Sequence, residues 1–260
     1  MKLTLDVENT VTERDGKLHF DPFEPENSLT MVGVLTDQGV EQHFPFDHSD
    51  VPNQKDYYER VQWFLDESTI LICHNAAHDL LWLWESGFKY DGPVFDTMLA
   101  EYVLQRGIKK PLSLEACAER YELDTKKQDT LKEYLKKGYS VRDIPYNDLC
   151  DYLSADLHAT QQLSDRLMLR LNSEEDAGLM NTVTLTNRVA VCLSRIYQRG
   201  FKVDLSVLDT VRKQFEKEKD QIEKRLKNQV SELMGDTPIN LNSPEQMSWV
   251  IYSRKPDNKA

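Results

Sequence analysis

Residues 2–7 alternate: Leu3, Leu5 and Val7 stand against Thr4 and Asp6, the period of two that marks a half-buried strand. Residues 13–27 are rich in charge, Pro and Gly and read as a loop or hairpin connection. Apolar runs at 29–36 and 40–46 flank Asp37-Gln38-Gly39, a turn signal, and predict an antiparallel hairpin. Residues 57–65 carry Val61, Phe64 and Leu65 at helical spacing. The short apolar run 69–73 fits a buried strand. Helical spacing returns at 80–84, and a brief extended stretch at 94–95 leads into Asp96-Thr97, a helix cap before 98–104.

Beyond that point the pattern is helical. Ser113 caps SLEACAERY, 131–137 is a short helix closed by Gly138, and 146–171 is a long helix. Residues 174–199 predict a further helix ending at Gly200, and 201–204 is a short break. Residues 205–234 form a charged amphipathic helix with Val207, Leu208, Val211, Phe215, Ile222, Leu226, Val230 and Leu233 on one side. That stripe also fits a solvated coiled coil or antiparallel helix pair. Ser243-Pro244-Glu245 opens a last helix within 240–251. Strands first and helices later predict an α/β layered fold with a mixed sheet, followed by a helical appendage. The domains are expected at 1–172 and 173–260.

With 260 residues and 40% hydrophobic content, the chain can hold one large domain or a domain plus an appendage. Its 32 Lys and Arg against 44 Asp and Glu give a net charge of −12, the wrong sign for gripping nucleic acid by charge alone. The balance suits a carboxylate-rich metal site, or simply an acidic cytosolic protein. The pairs Lys109-Lys110, Lys126-Lys127 and Lys136-Lys137 either line a path for a nucleic-acid strand or are solvated surface. Cys73, Cys117, Cys150 and Cys192 show no C-x-x-C spacing and read as reduced, mostly buried thiols. No signal peptide and no membrane helix is expected, which points to the cytoplasm.

The candidate chemistry lies in four carboxylates and a tyrosine. Asp6 and Glu8 are two apart on a predicted strand and so share one face. Like charges placed together make sense when a cation sits between them. Asp79 follows in HNAAHDLLWL, and is unremarkable by itself. Tyr152 and Asp156 are four apart on the long helix, hence on one face about a turn apart. Such a pair is commonplace alone; the three contexts together and in order carry the signal. Mg²⁺ prefers oxygen ligands, and two such ions about 4 Å apart stabilise both oxygens of a phosphodiester being cut. His74 and His78, four apart, have a second reading as a zinc pair, without a third soft ligand.

DVE, then HNAAHDLLWL, then YLSADLHAT resemble the three exonuclease motifs of the DEDD superfamily, in its tyrosine-bearing branch. VFDTMLAEYVL and PLSLEACAERYELD look like the connecting segments of the proofreading domain of family A DNA polymerases, and RGFKVDLSVLDTV and INLNSPEQM like the start of their thumb. The short lead into the first motif looks more like the bacteriophage-type enzymes. The resemblance implies a ribonuclease H-like exonuclease fold and a 3′→5′ exonuclease using two Mg²⁺ or Mn²⁺ ions. By the same resemblance, Asp6, Glu8 and Asp156 would hold the first ion, with Asp6 bridging to the second. Asp79 would hold that second ion through water. Tyr152 and Glu8 would orient the attacking water, and Asn75 would contact the terminal nucleotide. His78 departs from the family, which usually has an aromatic residue there.

The implied partners are a single-stranded DNA 3′ end, the remaining thumb, palm and fingers of a polymerase in cis or in trans, and a processivity factor. A phage-encoded protein would work in the cytoplasm of the infected host. With no palm or fingers segment in the chain, polymerisation by it alone is not expected. An RNase D-like exoribonuclease shares the motifs and stays open as an alternative, as does a non-catalytic module that binds DNA or a polymerase.

Overall fold

The computed structural model describes residues 1–123 and 128–252. The chain divides into two compact units, Met1–Gly200 and Phe201–Ala260.

In the first unit the strands are β1 (Lys2–Asn9), β2 (Thr12–Arg14), β3 (Lys17–His19), β4 (Leu29–Thr36), β5 (Glu41–Pro45), β6 (Ile70–Cys73) and β7 (Val94–Asp96). Five form one mixed sheet in the order β5-β4-β1-β6-β7. β1 runs antiparallel to β4 and parallel to β6, β4 antiparallel to β5, and β6 parallel to β7. β2 and β3 make a separate hairpin across Asp15 and Gly16, both with positive φ, as a two-residue hairpin turn demands. The expected hairpin at 29–36 and 40–46 is β4 and β5.

The helices of this unit are α1 (Tyr57–Glu67), α2 (Ala76–Glu85), α3 (Thr97–Leu104), α4 (Leu114–Arg120), α5 (Gln128–Lys136), α6 (Tyr146–Leu171) and α7 (Leu179–Arg199). Two apolar layers flank the sheet. Leu3, Leu5, Val7, Val32 and Val34 pack with α1 and α2 residues such as Val61, Phe64, Leu80 and Leu83. On the other face Met31 and Leu35 pack under Leu149, Leu153 and Leu157 of α6. A third cluster joins α3, α4 and α7 to the far half of α6 through Ala100, Leu104, Cys117, Leu163, Leu167 and Val183.

Three helices begin elsewhere than their apolar spacing predicts. α5 starts at Gln128 rather than 131. α2 starts at Ala76 rather than 80, because a carboxylate from a neighbouring strand caps it. α7 starts at Leu179 rather than 174. Asp176 just before it is buried, paired with Arg106 at 2.8 Å and Arg170 at 3.4 Å, and Gly178 takes a left-handed φ of 89°. A helix cannot run through that conformation. Arg170 also donates to the Tyr121 hydroxyl, which donates to buried Glu101, so the network ties α3, α4 and α6 together.

The second unit holds α8 (Leu205–Met234) and α9 (Pro244–Tyr252). Asp204 caps α8 by accepting from the Ser206 and Val207 amides. No α8 side chain is buried, and its apolar stripe stays solvent-facing, with Leu208 52% and Phe215 64% exposed. Among the described residues, no helix is long and apolar enough to cross a membrane. All four cysteines are free; Cys73 and Cys117 are buried as expected, but Cys192 on α7 is exposed.

Candidate active site

β1 presents Leu3, Leu5 and Val7 to the α1/α2 layer, so the intervening side chains point the other way. Asp6 and Glu8 therefore share the face covered by α6. In register Asp6 lies opposite Gly33 and Glu8 opposite Met31, and an irregularity follows between Glu8 and Asn9.

α6 lies close over this face because Gly33 has no side chain, and the approach is so tight that a Cβ there would meet Leu153. Tyr152 and Asp156, one turn apart on α6, thereby arrive at Asp6 and Glu8. Among the described residues, Asp6, Glu8 and Asp156 can each place one carboxylate oxygen within 4.8 Å of the others. The Tyr152 hydroxyl hydrogen-bonds with Asp156.

Asp79 comes from the first turn of α2. Its position depends on Asp96, at the end of β7. The Asp96 carboxylate accepts from the amides of Asn75 and Ala76 at 3.2 and 2.9 Å, starting α2, and from those of Met98 and Leu99 at 2.9 and 3.2 Å, starting α3. One buried side chain caps two helices. Asn75 sits at the head of α2 in the left-handed region, φ 78°, exposed and one turn before Asp79. Asp96 was legible as the α3 cap; its role for α2 depends on the parallel pairing of β6 with β7, which no local pattern reveals.

The carboxylates are packed beyond what their charges tolerate alone. Burial, then the charge of Asp156, pushes Asp6 up from 3.8 to about 8. Glu8 is held well above its ordinary range by burial and by the charges of Asp6, Asp156 and Asp79. Burial and Asp6 raise Asp79 strongly, against hydrogen bonds from the Cys73 thiol and the Val7 amide. Burial and the neighbouring carboxylates push the Tyr152 phenol far up, so it stays protonated. Asp79 Oδ2 is buried and has no hydrogen-bond partner among the described residues. Asp79 stands outside the group whose oxygens lie within 4.8 Å of one another, but its charge acts on Asp6 and Glu8, and an orphaned carboxylate oxygen there is a donor suited to a hard divalent cation. The residues fit the ions that the sequence implied.

A cavity of about 230 Å³ opens beside this cluster, lined by Tyr152 and Asp156 of α6, Ser113, Leu114 and Glu115 at the start of α4, and Leu131 and Lys132 of α5. Lys132 pairs with Glu115 across it at 2.7 Å. Lys109, Lys110, Lys136 and Lys137 are exposed; Lys126 and Lys127 lie outside the described residues. His74 and His78 do not form a zinc pair. His74 is engaged at both ring nitrogens, by Thr97 Oγ1 and the Leu112 carbonyl, each at 2.8 Å. His78 Nε2 meets Asn9 Oδ1 at 2.9 Å instead. That contact ties α2 to the residue directly after Glu8.

A family profile described as 3′-5′ exonuclease matches residues 29–172. A DNA polymerase I from Synechocystis sp. is 26% identical over 183 residues, covering 70% of this chain and 18% of its own length. A Bacillus subtilis DNA polymerase I is 25% identical over 197 residues, covering 75% and 20%. The chain thus spans about a fifth of the length of these relatives. A solved Pol1 domain from M. smegmatis, in complex with DNA primer-template and dNTP, superposes with a TM-score of 0.63 at 18% identity, over 96% of this chain and 36% of that one. The fold is the mixed-sheet, ribonuclease H-like exonuclease fold.

Proposed function

The chain belongs to the 3′-5′ exonuclease family whose profile spans residues 29–172, and from that membership we propose that it trims the 3′ ends of single-stranded DNA to nucleoside monophosphates, as the proofreading part of a family A DNA polymerase. The observation that carries this reading is the convergence of Asp6, Glu8 and Asp156 within 4.8 Å, beside Tyr152 and the unpaired Oδ2 of Asp79. Two Mg²⁺ or Mn²⁺ ions held by Asp6, Glu8, Asp79 and Asp156 would neutralise the charge that develops on the phosphodiester.

The remaining chemistry falls to the chain. Tyr152, kept protonated by its carboxylate neighbours, and Glu8 orient the attacking water. Asn75 meets the terminal nucleotide from the head of α2. The tyrosine-bearing branch is supported by Tyr152 lying one turn before Asp156. Residues 1–172 are taken as the nuclease, with 173–260 leading toward the thumb. The rest of a polymerase supplies the template-bound partner.

The test is digestion of a 5′-labelled single-stranded DNA oligonucleotide in Mg²⁺, beside an EDTA control, an Asp6→Ala/Glu8→Ala variant and a matched RNA. A ladder shortening from the 3′ end on DNA, absent in EDTA and in the variant, is the expected result. Faster trimming of the RNA would overturn the DNA assignment in favour of an exoribonuclease. Undiminished activity in the variant would remove the site.

A further inference from the structure

A cavity of about 650 Å³ opens beside β7, the edge strand of the sheet, and is walled on the other side by α7. That volume falls in the range of small-molecule sites, roughly 300–1,000 Å³. Ile70, Phe95 and Met168 of α6 give it an apolar floor. α7 contributes two stripes. Met180, Val183, Asn187 and Val191, at helical spacing and buried or half-buried, form the inner wall. Thr184, Arg188 and Cys192, a turn apart and exposed, form the lip. One polar side chain thus stands in the apolar wall. Asn187 is 4% exposed, and its Nδ2 donates to the Val94 carbonyl at 3.2 Å. That bond fixes which way the amide faces, and its Oδ1 has no partner among the described residues. A buried acceptor in that condition calls for a donor. Arg188, the next residue, enters no ion pair among the described residues, whereas Asp91, also lining the cavity, is held by Arg195 at 2.7 Å.

We propose that this cavity binds a nucleoside monophosphate, with its base between the strand edge and α7 and its phosphate on Arg188. An apolar chamber, one spare acceptor inside and one uncommitted cation at the lip match a flat ring that carries an N–H on its edge and an anion on its tail. An N–H of the base donates to Asn187 Oδ1, and the guanidinium of Arg188 takes the phosphate oxygens. Met168 and Met180 are unbranched and reshape readily, so they part around the ring and admit its edge to the amide. The choice of a nucleotide among anionic ring compounds rests on the proposed trimming reaction, which releases that class of molecule. The site is separate from the carboxylates. Met168 lies on α6 about 18 Å beyond Asp156 at 1.5 Å per residue. Ile70 pairs with Lys2, at the end of β1 away from Glu8.

The test uses the full chain in EDTA, so that no metal holds a phosphate at the carboxylates, with 2′-deoxyadenosine 5′-monophosphate as the probe. Equilibrium dialysis counts bound nucleotide. The rate at which a maleimide alkylates Cys192, the exposed thiol at the lip, reports where it sits. The expected result is one nucleotide per chain at millimolar concentration, with Cys192 alkylated more slowly as the site fills. Arg188→Ala weakens binding by about tenfold or more, the loss of a hydrogen bond to a charged group, and Asn187→Leu abolishes it. The Asp6→Asn/Asp156→Asn variant binds as the wild type does. Arg188 is exposed, so its variant remains informative if Asn187→Leu fails to fold. Absence of stoichiometric nucleotide overturns the proposal, as does binding that leaves Cys192 unprotected or survives Arg188→Ala undiminished. Deoxyadenosine binding as tightly as its monophosphate also overturns it. Neither readout involves cleavage, so failure here leaves the nuclease assignment untouched.

Discussion

Gly33 on β4 and Leu153 on α6 are in a contact that admits no added atom: a Cβ on Gly33 would lie 2.7 Å from Leu153 Cγ, and 2.9 Å from Leu157 Cδ1. Both leucines are fully buried, so neither has anywhere to go. Gly33 is also the register partner of Asp6. The missing side chain therefore sets the height at which α6 crosses the first pair of carboxylates. Gly33→Ala is expected to destabilise by about 1–3 kcal/mol through overpacking, and to lower the nuclease rate by lifting Tyr152 and Asp156 off β1. Thermal unfolding and rate measurements check both. Unchanged stability would show that α6 is not held at this contact.

Asp96 predicts a different kind of loss. Each helix cap is worth about 0.5–2 kcal/mol, and this carboxylate starts both α2 and α3. Asp96→Ala should therefore cost more than a single cap, about 1–4 kcal/mol by the same measure. It should also disturb activity through Asn75 and Asp79, although Asp96 itself is not a proposed ligand. Denaturant unfolding gives the first quantity. A loss no larger than that of the single-cap variant Ser113→Ala would contradict the dual role.

Much of this was legible in the sequence for physical reasons. The period of two at Leu3, Leu5 and Val7 places Asp6 and Glu8 together without any knowledge of the rest, and the spacing of Tyr152 and Asp156 does the same on α6. Their meeting was legible only through the resemblance, since nothing local says that α6 crosses β1. Gly33 carried a weak signal, a glycine inside an otherwise apolar strand, which often marks close backbone approach. The late start of α7 was not legible, because the burial of Asp176 depends on Arg106, 70 residues away. The pairing of Glu41 with His158 likewise spans 117 residues and leaves no trace in periodicity.

Tyr152→Phe separates water positioning from architecture. The ring packs as before, while the hydroxyl that meets Asp156 is removed. Positioned proton donors and acceptors contribute about 10²–10⁴-fold to rate, so a fall of at least about tenfold in the turnover rate is expected, with unchanged stability and oligonucleotide affinity. Single-turnover digestion reads the rate. An unaltered rate would leave Tyr152 a packing residue.

Proton linkage gives a prediction that needs no substrate. Below about pH 4 the Asp6 carboxyl is protonated in both folded and unfolded chains. From there to about 8 the unfolded chain releases that proton while the folded one keeps it. The folded state then binds more protons, so stability falls as pH rises through this window and levels off above it. Glu8 and Asp79 act in the same sense. Melting temperature in EDTA should decline from mildly acidic to weakly alkaline pH. Mg²⁺ should reverse the decline, because it binds the ionised carboxylates of the folded chain only. A flat profile in EDTA would mean that burial and mutual repulsion do not raise the carboxyls of Asp6, Glu8 and Asp79 in the folded chain.

Asp79→Asn brings these strands together, since function and stability should move in opposite directions. Asp79 is 2% exposed, its Oδ2 has no partner, and its charge is opposed by that of Asp6. Replacing the carboxyl with an amide of the same shape removes the cost of keeping a buried, proton-holding carboxyl there at neutral pH and supplies a donor for the neighbouring carboxylates. The variant should therefore melt higher than wild type in EDTA at neutral pH, by a few degrees for about 1 kcal/mol gained. It should bind Mg²⁺ less well and gain little from adding it. Its nuclease rate should drop by about 10²-fold or more, the typical cost of removing one electrostatic stabiliser of a transition state. A variant less stable than wild type in EDTA would show that Asp79 holds the fold together as an anion, and that its orphaned oxygen is not kept for a cation.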